Sequence, residues 1–384
     1  MGKKLAIITT HPIQYYAPVF QLLARQLQLK VFYTWGEDSL NKFDKGFGQE
    51  IEWDLPLLKG YEYSFLKNTA SNKGTHHFKG IVNPTLNKEI KDYNPDAILI
   101  YGWAWHSHLK AMRFFKGKIP VYFRGDSTLL NNQQKLKAFF RSAFLKWAYR
   151  NIDVAFCVGT ASKAYFEKYG LEQSQLIVAP HAIDNKRFAA IQNEEAEKLR
   201  IELGIKNDEI LILFAGKLEP VKNPLLLLDA FKSIKKVNIH LLFVGNGILE
   251  ENLKSESKDL KNVHFINFQN QTQMPAIYQA CNLFCLPSIS ETWGLAVNEA
   301  MAAAKAILIS TRVGCATDLV KPSINGQIFE SGNVDDLIRK LTELTNSKEK
   351  LTQMGIVSQQ IIQAWSFENQ VKVMVDTFYN NHAK

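Results

Sequence analysis

Residues 209–234 read EILILFAGKLEPVKNPLLLLDAFKSI. Ile210 to Ala215 is an unbroken apolar run, which suits a strand buried on both faces of a parallel sheet. A polar loop follows, bearing Lys217, Glu219, Pro220, Lys222 and Asn223, and a helix is expected from Pro224 onward. Strand, loop and helix make one β/α unit, and the same rhythm spreads from it in both directions. KLAIITT, LKVFYTW, DAILIYG, IPVYFRG, DVAFCVG and QLIVAP come before it; NIHLLFVGN, NVHFINF, LFCLPS and AILIST come after it. Helical patterns such as APVFQLLARQL, NPTLNKEIKDY and MPAIYQAC lie between these runs. Two such series predict an α/β chain of two Rossmann-like, doubly wound parallel-sheet domains facing a cleft. The change-over falls in the charged helical stretch around 181–200. The expected division is 1–185, 186–365, and a C-terminal helix over 366–384 that packs back toward the first domain.

The chain has 384 residues, of which 46% are apolar, so each domain can bury a full core. The net charge of +9 is unevenly spread. Residues 1–190 hold 26 bases against 15 acids, a balance of +11, and residues 191–384 hold 20 against 22, a balance of −2. Ten bases and one acid fall within 101–150 alone. A basic half attracts nucleic acid, anionic lipid or phosphorylated small molecules. No nucleic-acid recognition motif appears, which sets the first aside. The four cysteines are scattered and read as buried thiols of a reducing compartment. No run of 18 apolar residues offers a membrane span. LAII at the N-terminus is too short for a signal peptide and reads as a first strand.

Ligands of doubly wound sheets bind outside the carboxyl ends of the strands, and the unusual residues cluster there. Lys217 and Lys222 sit in a strand-to-helix loop and suit an anionic ligand such as a phosphate; alternatively they are two solvated lysines. The strand LLFVG ends in Gly245-Asn-Gly247, a tight turn that lets a ligand approach the backbone. ETWGLAVNE, residues 291–299, places Glu291 in a loop and Glu299 about one and a half turns into a helix expected from about Trp293 to Ala304. Gly294, in the first turn, exposes the N–H groups of a helix N-terminus, which can hold a diphosphate. The two carboxylates then reach two sets of sugar-like hydroxyls, unless Glu291 merely caps the helix and Glu299 is solvated.

The string SISETWGLAVNEAMAAAKAILIS, with VGCATDLV and NGQIFESGN after it, resembles the C-terminal signature of the retaining family 4 (group 1) glycosyltransferases, which have the B-type (GT-B) fold. That family's E-x7-E pattern is matched by Glu291 and Glu299. FAGKLEPVKNP resembles its basic pair, FVGNG its turn glycines, and PHAIDNKRF its inter-domain segment. The resemblance implies a nucleotide-sugar donor, UDP- or GDP-linked, held by Gly216, Lys217, Lys222, Gly245, Gly247, Glu291, Gly294, Leu295 and Glu299. Glu299 would bind the ribose, Glu291 the hexose, and the two lysines the diphosphate leaving group. Two ammonium groups and a helix dipole can stabilise that charge without Mg²⁺, and no D-x-D pair occurs; no metal and no cofactor are expected. Ala304 and Ala306 depart from the family's usual Gly and Pro, Cys315 from its second glycine, and Asn267 from a common Gly near the base pocket.

In the first half, THPIQYYAPVF puts His11, Gln14, Tyr15 and Tyr16 at a strand's carboxyl end, where they suit a sugar acceptor or simply pack a loop. GWAWHSH brings His106 and His108, spaced too weakly for a metal site and read instead as pocket lining. VYFRGDS ends a strand with Arg124 and Asp126; Asp126 either assists acceptor deprotonation or pairs with Arg124. Residues 135–150, KLKAFFRSAFLKWAYR, form a basic aromatic helix. It lies on an anionic membrane, or its aromatic residues pack on the sheet and leave only the bases exposed.

The reading that results is a cytoplasmic enzyme, peripheral at the inner face of the plasma membrane. It moves a hexose-type sugar from a nucleotide-sugar to a glycan or lipid-linked acceptor in surface polysaccharide synthesis, with Glu291, Lys217, Lys222 and Asp126 as its catalytic groups. The alternatives are a hydrolysing nucleotide-sugar epimerase and a non-catalytic nucleotide-sugar-binding partner subunit.

Overall fold

The computed structural model describes residues 2–40, 43–44, 49–50, 52–130 and 135–380. Two sheets dominate, each parallel throughout and each built from the apolar runs described above. The first holds β1 (Lys4–Thr9), β2 (Gln28–Tyr33), β3 (Glu62–Phe65), β4 (Ala97–Tyr101), β5 (Val121–Gly125), β6 (Val154–Cys157) and β7 (Leu176–Val178). Their spatial order is β3-β2-β1-β4-β5-β6-β7. The second holds β8 (Ile210–Ala215), β9 (Ile239–Val244), β10 (Val263–Ile266), β11 (Leu283–Leu286), β12 (Ala306–Ser310) and β13 (Gly326–Phe329), in the order β10-β9-β8-β11-β12-β13. Both sheets start at an inner strand, run outward to one edge and then jump back across it. Each therefore has a topological switch point, between β1 and β4 and between β8 and β11, where doubly wound sheets open a crevice for ligands.

The registers are continuous: Phe214 lies opposite Phe243, and Leu213 opposite Phe284. All six residues of β8 and all six of β9 are buried, as strands covered by helices on both faces should be. Two edge strands were not expected from the sequence. β3 is half exposed and lacks an apolar run, and β13 reads only GQIF.

The chain forms two compact units. Unit 1 comprises Met1–Lys42, Leu55–His181 and Phe367–Lys384; unit 2 comprises Phe43–Asp54 and Ala182–Ser366. The sequence division at 185/186 has no place for the excursion Phe43–Asp54, a stretch of the first half that belongs with the second unit. Within unit 1, α1 (Ala17–Ala24) packs against the last helix, Phe367–Asn380. Lys3 lies over the rings of Phe378 and Tyr379, and Phe378 meets Tyr122 of β5 at 6.1 Å. No helix among the described residues is long and apolar enough to cross a membrane.

Candidate active site

In unit 2, the loops that follow β8 and β11 meet at the switch point. The backbone N–H of Ile289 donates to the carbonyl of Val221 at 3.0 Å, joining the two loops. A single 3-10 turn, Pro220–Lys222, and the left-handed Asn223 bend the first loop into α4 (Pro224–Ser233). That bend brings the Lys222 ammonium against the Glu291 carboxylate as an ion pair whose side chains are only 24% and 16% exposed. The sequence placed these two groups on different parts of a ligand and did not foresee that they pair. Lys217 lies in the same loop, half-buried. Glu291 is fixed from below by a backbone ladder: its N–H donates to Arg312 and its carbonyl accepts from Gly314, both at 3.0 Å.

The helix of the ETWGLAVNE stretch, α6, spans Leu295–Ala302 after α5 (Met274–Ala280). It starts two residues later than expected because Gly294 sits at φ +98 as its N-cap, a conformation that suits glycine. Trp293 is core: it is 2% exposed, stacks near Trp365 at 4.9 Å, and its indole N–H donates to Asn298. Glu299 is not solvated. It is 4% exposed and accepts a 2.9 Å bond from the hydroxyl of Tyr278 on α5. A buried carboxylate needs such partners, and Tyr278, twenty-one residues away, could not have been paired with it by spacing.

The turn Gly245–Gly247 has a packing reason of its own. A Cβ at Gly245 would stand 2.2 Å from the carbonyl oxygen of Gly216, and one at Gly247 2.5 Å from that of Leu218. It is the neighbouring loop's backbone that comes close; the glycines let the loop after β8 lie on the turn after β9.

In unit 1, a cavity of about 140 Å³ opens at the β1/β4 switch point, lined among others by Thr9, Tyr16, Tyr101, Trp105, Arg124 and His181. Asp126 also lines it. Arg124, 3% exposed, donates to the carbonyls of Ala179 and Pro180 at 2.9 and 3.3 Å, so its guanidinium is held by backbone. Burial pushes the Tyr101 phenol up to about 12, and its hydroxyl has no hydrogen-bond partner among the described residues. Burial raises the Tyr16 phenol well above its ordinary range, with the Asp126 carboxylate adding to it. Burial, then the Arg124 charge, keeps His181 neutral.

Of the expected acceptor residues, Tyr16 and Arg124 line this cavity. The turn in which Tyr16 N–H bonds Ile13 aims those two residues inward. His11 instead bonds Thr10 and meets Trp35 edge-on at 5.4 Å, while Gln14 and Tyr15 stay half-buried on the loop outside the lining. His106 opens α2 (His106–Phe115) and meets Phe78 edge-on. His108 is no pocket residue: it is fully buried between the Thr34 hydroxyl (2.8 Å) and the Gly102 carbonyl (2.9 Å), and burial holds it down to about 4. Tyr101, Trp105 and His181 carry no spacing signal and were missed; only the fold gathers them.

On the outside of unit 1, α3 spans Lys135–Tyr149. Leu145, Ala148 and Tyr149 face the core, but Phe139 and Phe140 are each 69% exposed, and Phe144 and Trp147 are also exposed. The reading in which most of the aromatic residues pack on the sheet is therefore corrected. Arg113 stacks over Trp147 at 5.0 Å, while the side chains of Lys135 and Lys137 lie outside the described residues.

Two family models match the chain: glycosyltransferase family 4 over residues 64–187 and glycosyl transferases group 1 over residues 195–360. An uncharacterized glycosyltransferase of Methanocaldococcus jannaschii is 26% identical over 84% of this chain and 88% of its own length. The lipopolysaccharide 1,2-N-acetylglucosaminetransferase of Salmonella typhimurium is 25% identical over 74% of this chain and 67% of its own. Other curated relatives are matched over about half of their length or less, 47% and 43% in two cases. Among solved structures, Anabaena HepE in complex with UDP superposes with a TM-score of 0.75 at 16% identity, covering 98% of this chain and all of that one. The two family matches and the fold agree, and the chain is a glycosyltransferase of the group 1 type with the GT-B fold.

Proposed function

We propose that the protein transfers a hexose-type sugar from a UDP- or GDP-linked donor to a glycan or lipid-linked acceptor, with retention and without a metal ion. The observation that carries this reading is the convergence of Lys222, Glu291 and the N-terminus of α6 at one switch point, with buried Glu299 further along the same helix. A diphosphate fits the N–H donors and partial positive charge of that helix end. As the sugar leaves, negative charge builds on the diphosphate; Lys217 and Lys222 sit in the adjoining loop to stabilise it, the role a metal has elsewhere. Glu291 can hold Lys222 in place and accept from a hexose hydroxyl, and Glu299 can accept from the ribose. The cavity of unit 1 supplies Asp126 as a base for the acceptor hydroxyl and aromatic walls for its ring.

A lipid-linked acceptor accords with α3. Its exposed Phe139, Phe140, Phe144 and Trp147, flanked by Lys146 and Arg150, form the apolar and basic face of an interfacial helix. The Salmonella relative is named for lipopolysaccharide.

The test is a panel of UDP- and GDP-sugars with and without oligosaccharide and lipid acceptors. The product's anomeric configuration is read by NMR, and the reaction is repeated with a chelator. Retained configuration and undiminished rate in the chelator are expected. Product from donor alone would point to an epimerase, binding without turnover to a silent subunit, and rescue by Mg²⁺ would overturn the two-lysine account. Phe139→Glu with Phe140→Glu should abolish co-sedimentation with anionic vesicles; unchanged sedimentation removes the membrane from the proposal.

A further inference from the structure

The excursion Phe43–Asp54 belongs to unit 2 although the rest of its neighbourhood in the sequence belongs to unit 1. Its last three residues are pinned to the loop that follows β10. The Asn270 side-chain amide donates to the carbonyl of Glu52 at 2.7 Å. One Asp54 carboxylate oxygen accepts from the N–H and the hydroxyl of Thr272, at 2.9 and 2.6 Å. Between them, Trp53 meets Phe268 edge to face, with centroids 6.3 Å apart. The loop is itself anchored to the turn after β9, where Asn246 accepts from the N–H of Phe268 at 2.7 Å and donates to Asn267 at 3.3 Å. Both aromatic side chains remain partly exposed. A polar strap from a remote part of the chain thus presents an indole at the carboxyl end of the edge strand β10.

What lies there follows from the chemistry of a nucleoside diphosphate, so the inference rests on the donor reading above. Base and diphosphate leave opposite ends of the ribose. The diphosphate end is assigned to Lys222 and the start of α6, on the β8–β11 side. The ribose is assigned to Glu299, which bonds Tyr278 of α5. The base must then point away from β11, toward α5 and the loop that leads into it, which is the loop the strap clamps. The edge-to-face pair leaves a ring face for a flat heterocycle, and such stacking serves any base.

We propose that Trp53 stacks on the base of the bound nucleoside diphosphate, and that Asp54, through Thr272, is the positioning residue that holds it there. Base discrimination then falls to the polar groups of the same loop, Asn267 and Gln269, in place of the indole.

The experiment is calorimetry on the full chain with UDP, GDP, CDP and ADP, and with pyrophosphate as the ligand that has no base. For the nucleotide bound most tightly, Trp53→Ala should weaken binding about tenfold and Trp53→Phe by about threefold or less, with pyrophosphate affinity unchanged. Asp54→Ala, which keeps the indole but frees the strap, should show the same base-dependent loss, and it carries the test alone should Trp53→Ala fail to fold. Equal nucleotide affinity in wild type and variants overturns the proposal, as does an equal loss for nucleotide and pyrophosphate. A wild-type protein that binds none of the four nucleotides overturns the donor reading itself; one that binds them regardless of Trp53 overturns only the strap.

Discussion

Glu299 and Tyr278 form a buried polar contact of the candidate donor site, and the contact has a kinetic signature. If the phenol aligns the carboxylate for the ribose, Tyr278→Phe removes a hydrogen bond to a charged acceptor, about 1.5 kcal/mol. Donor KM should then rise about tenfold with kcat nearly unchanged, since the ribose does not react; initial rates over a donor series check this, and a fall in kcat alone would refute it. His108 yields a stability prediction. Its folded pKa of about 4 lies below the ordinary 6.5, so the unfolded chain binds a proton that the folded chain refuses. Its stabilising contribution is fully present above about pH 6.5 and fades as pH falls toward 4, at most about 3 kcal/mol. Thermal melts from pH 7.5 to 4.5 should fall less steeply in His108→Gln than in wild type. At this scale the sequence was readable where helix and loop geometry alone set the neighbours. Glu291, Glu299, Lys217 and Lys222 were all named in advance, and Lys222 and Glu291 lie at one point. Tyr278, Tyr101 and His181 were not named, because their neighbours come from distant elements of the chain and no local period records that.

At the scale of elements, strand runs were legible because a strand buried on both faces can contain little but apolar residues. The edge strands β3 and β13 escaped because an edge needs no such run. The end of α6 connects a departure from the family pattern to backbone geometry. Ala304 stands where the family pattern that the sequence resembles has glycine, and its φ is +58. Its N–H bonds Met301 and that of Lys305 bonds Ala300, both at 3.0 Å, the hydrogen-bond pair of a Schellman stop. The left-handed position costs an L residue about 1–2 kcal/mol, and glycine gives back part of that through its freer unfolded chain. Ala304→Gly should therefore stabilise the protein by about 0.5–1 kcal/mol. Urea unfolding should show a higher midpoint at unchanged slope; a lower midpoint would mean the methyl group packs better than the backbone suffers.

For the whole molecule, the rhythm of β/α units announced two lobes but not the strap, since nothing local in residues 43–54 tells a chain to leave one unit for the other. The last helix makes a related demand. Phe367–Asn380 comes after all of unit 2 yet completes unit 1, burying Phe367, Val371, Met374, Val375 and Phe378. Each such side chain is worth about 1.5–3 kcal/mol when buried, and five of them together rival the whole stability of an ordinary domain, about 5–15 kcal/mol. Unit 1 is thus unfinished until that helix is in place, whereas the helix is no part of unit 2. A chain ending at Ser366 should lose amide-exchange protection in α1 and in β5, where Tyr122 meets Phe378, and keep it in β8, β9 and β11. Exchange measured by mass spectrometry on both chains decides the matter: undiminished protection of Ala17–Ala24 would show that the helix adds little, and collapse of protection in β8 would show that the two units do not fold independently.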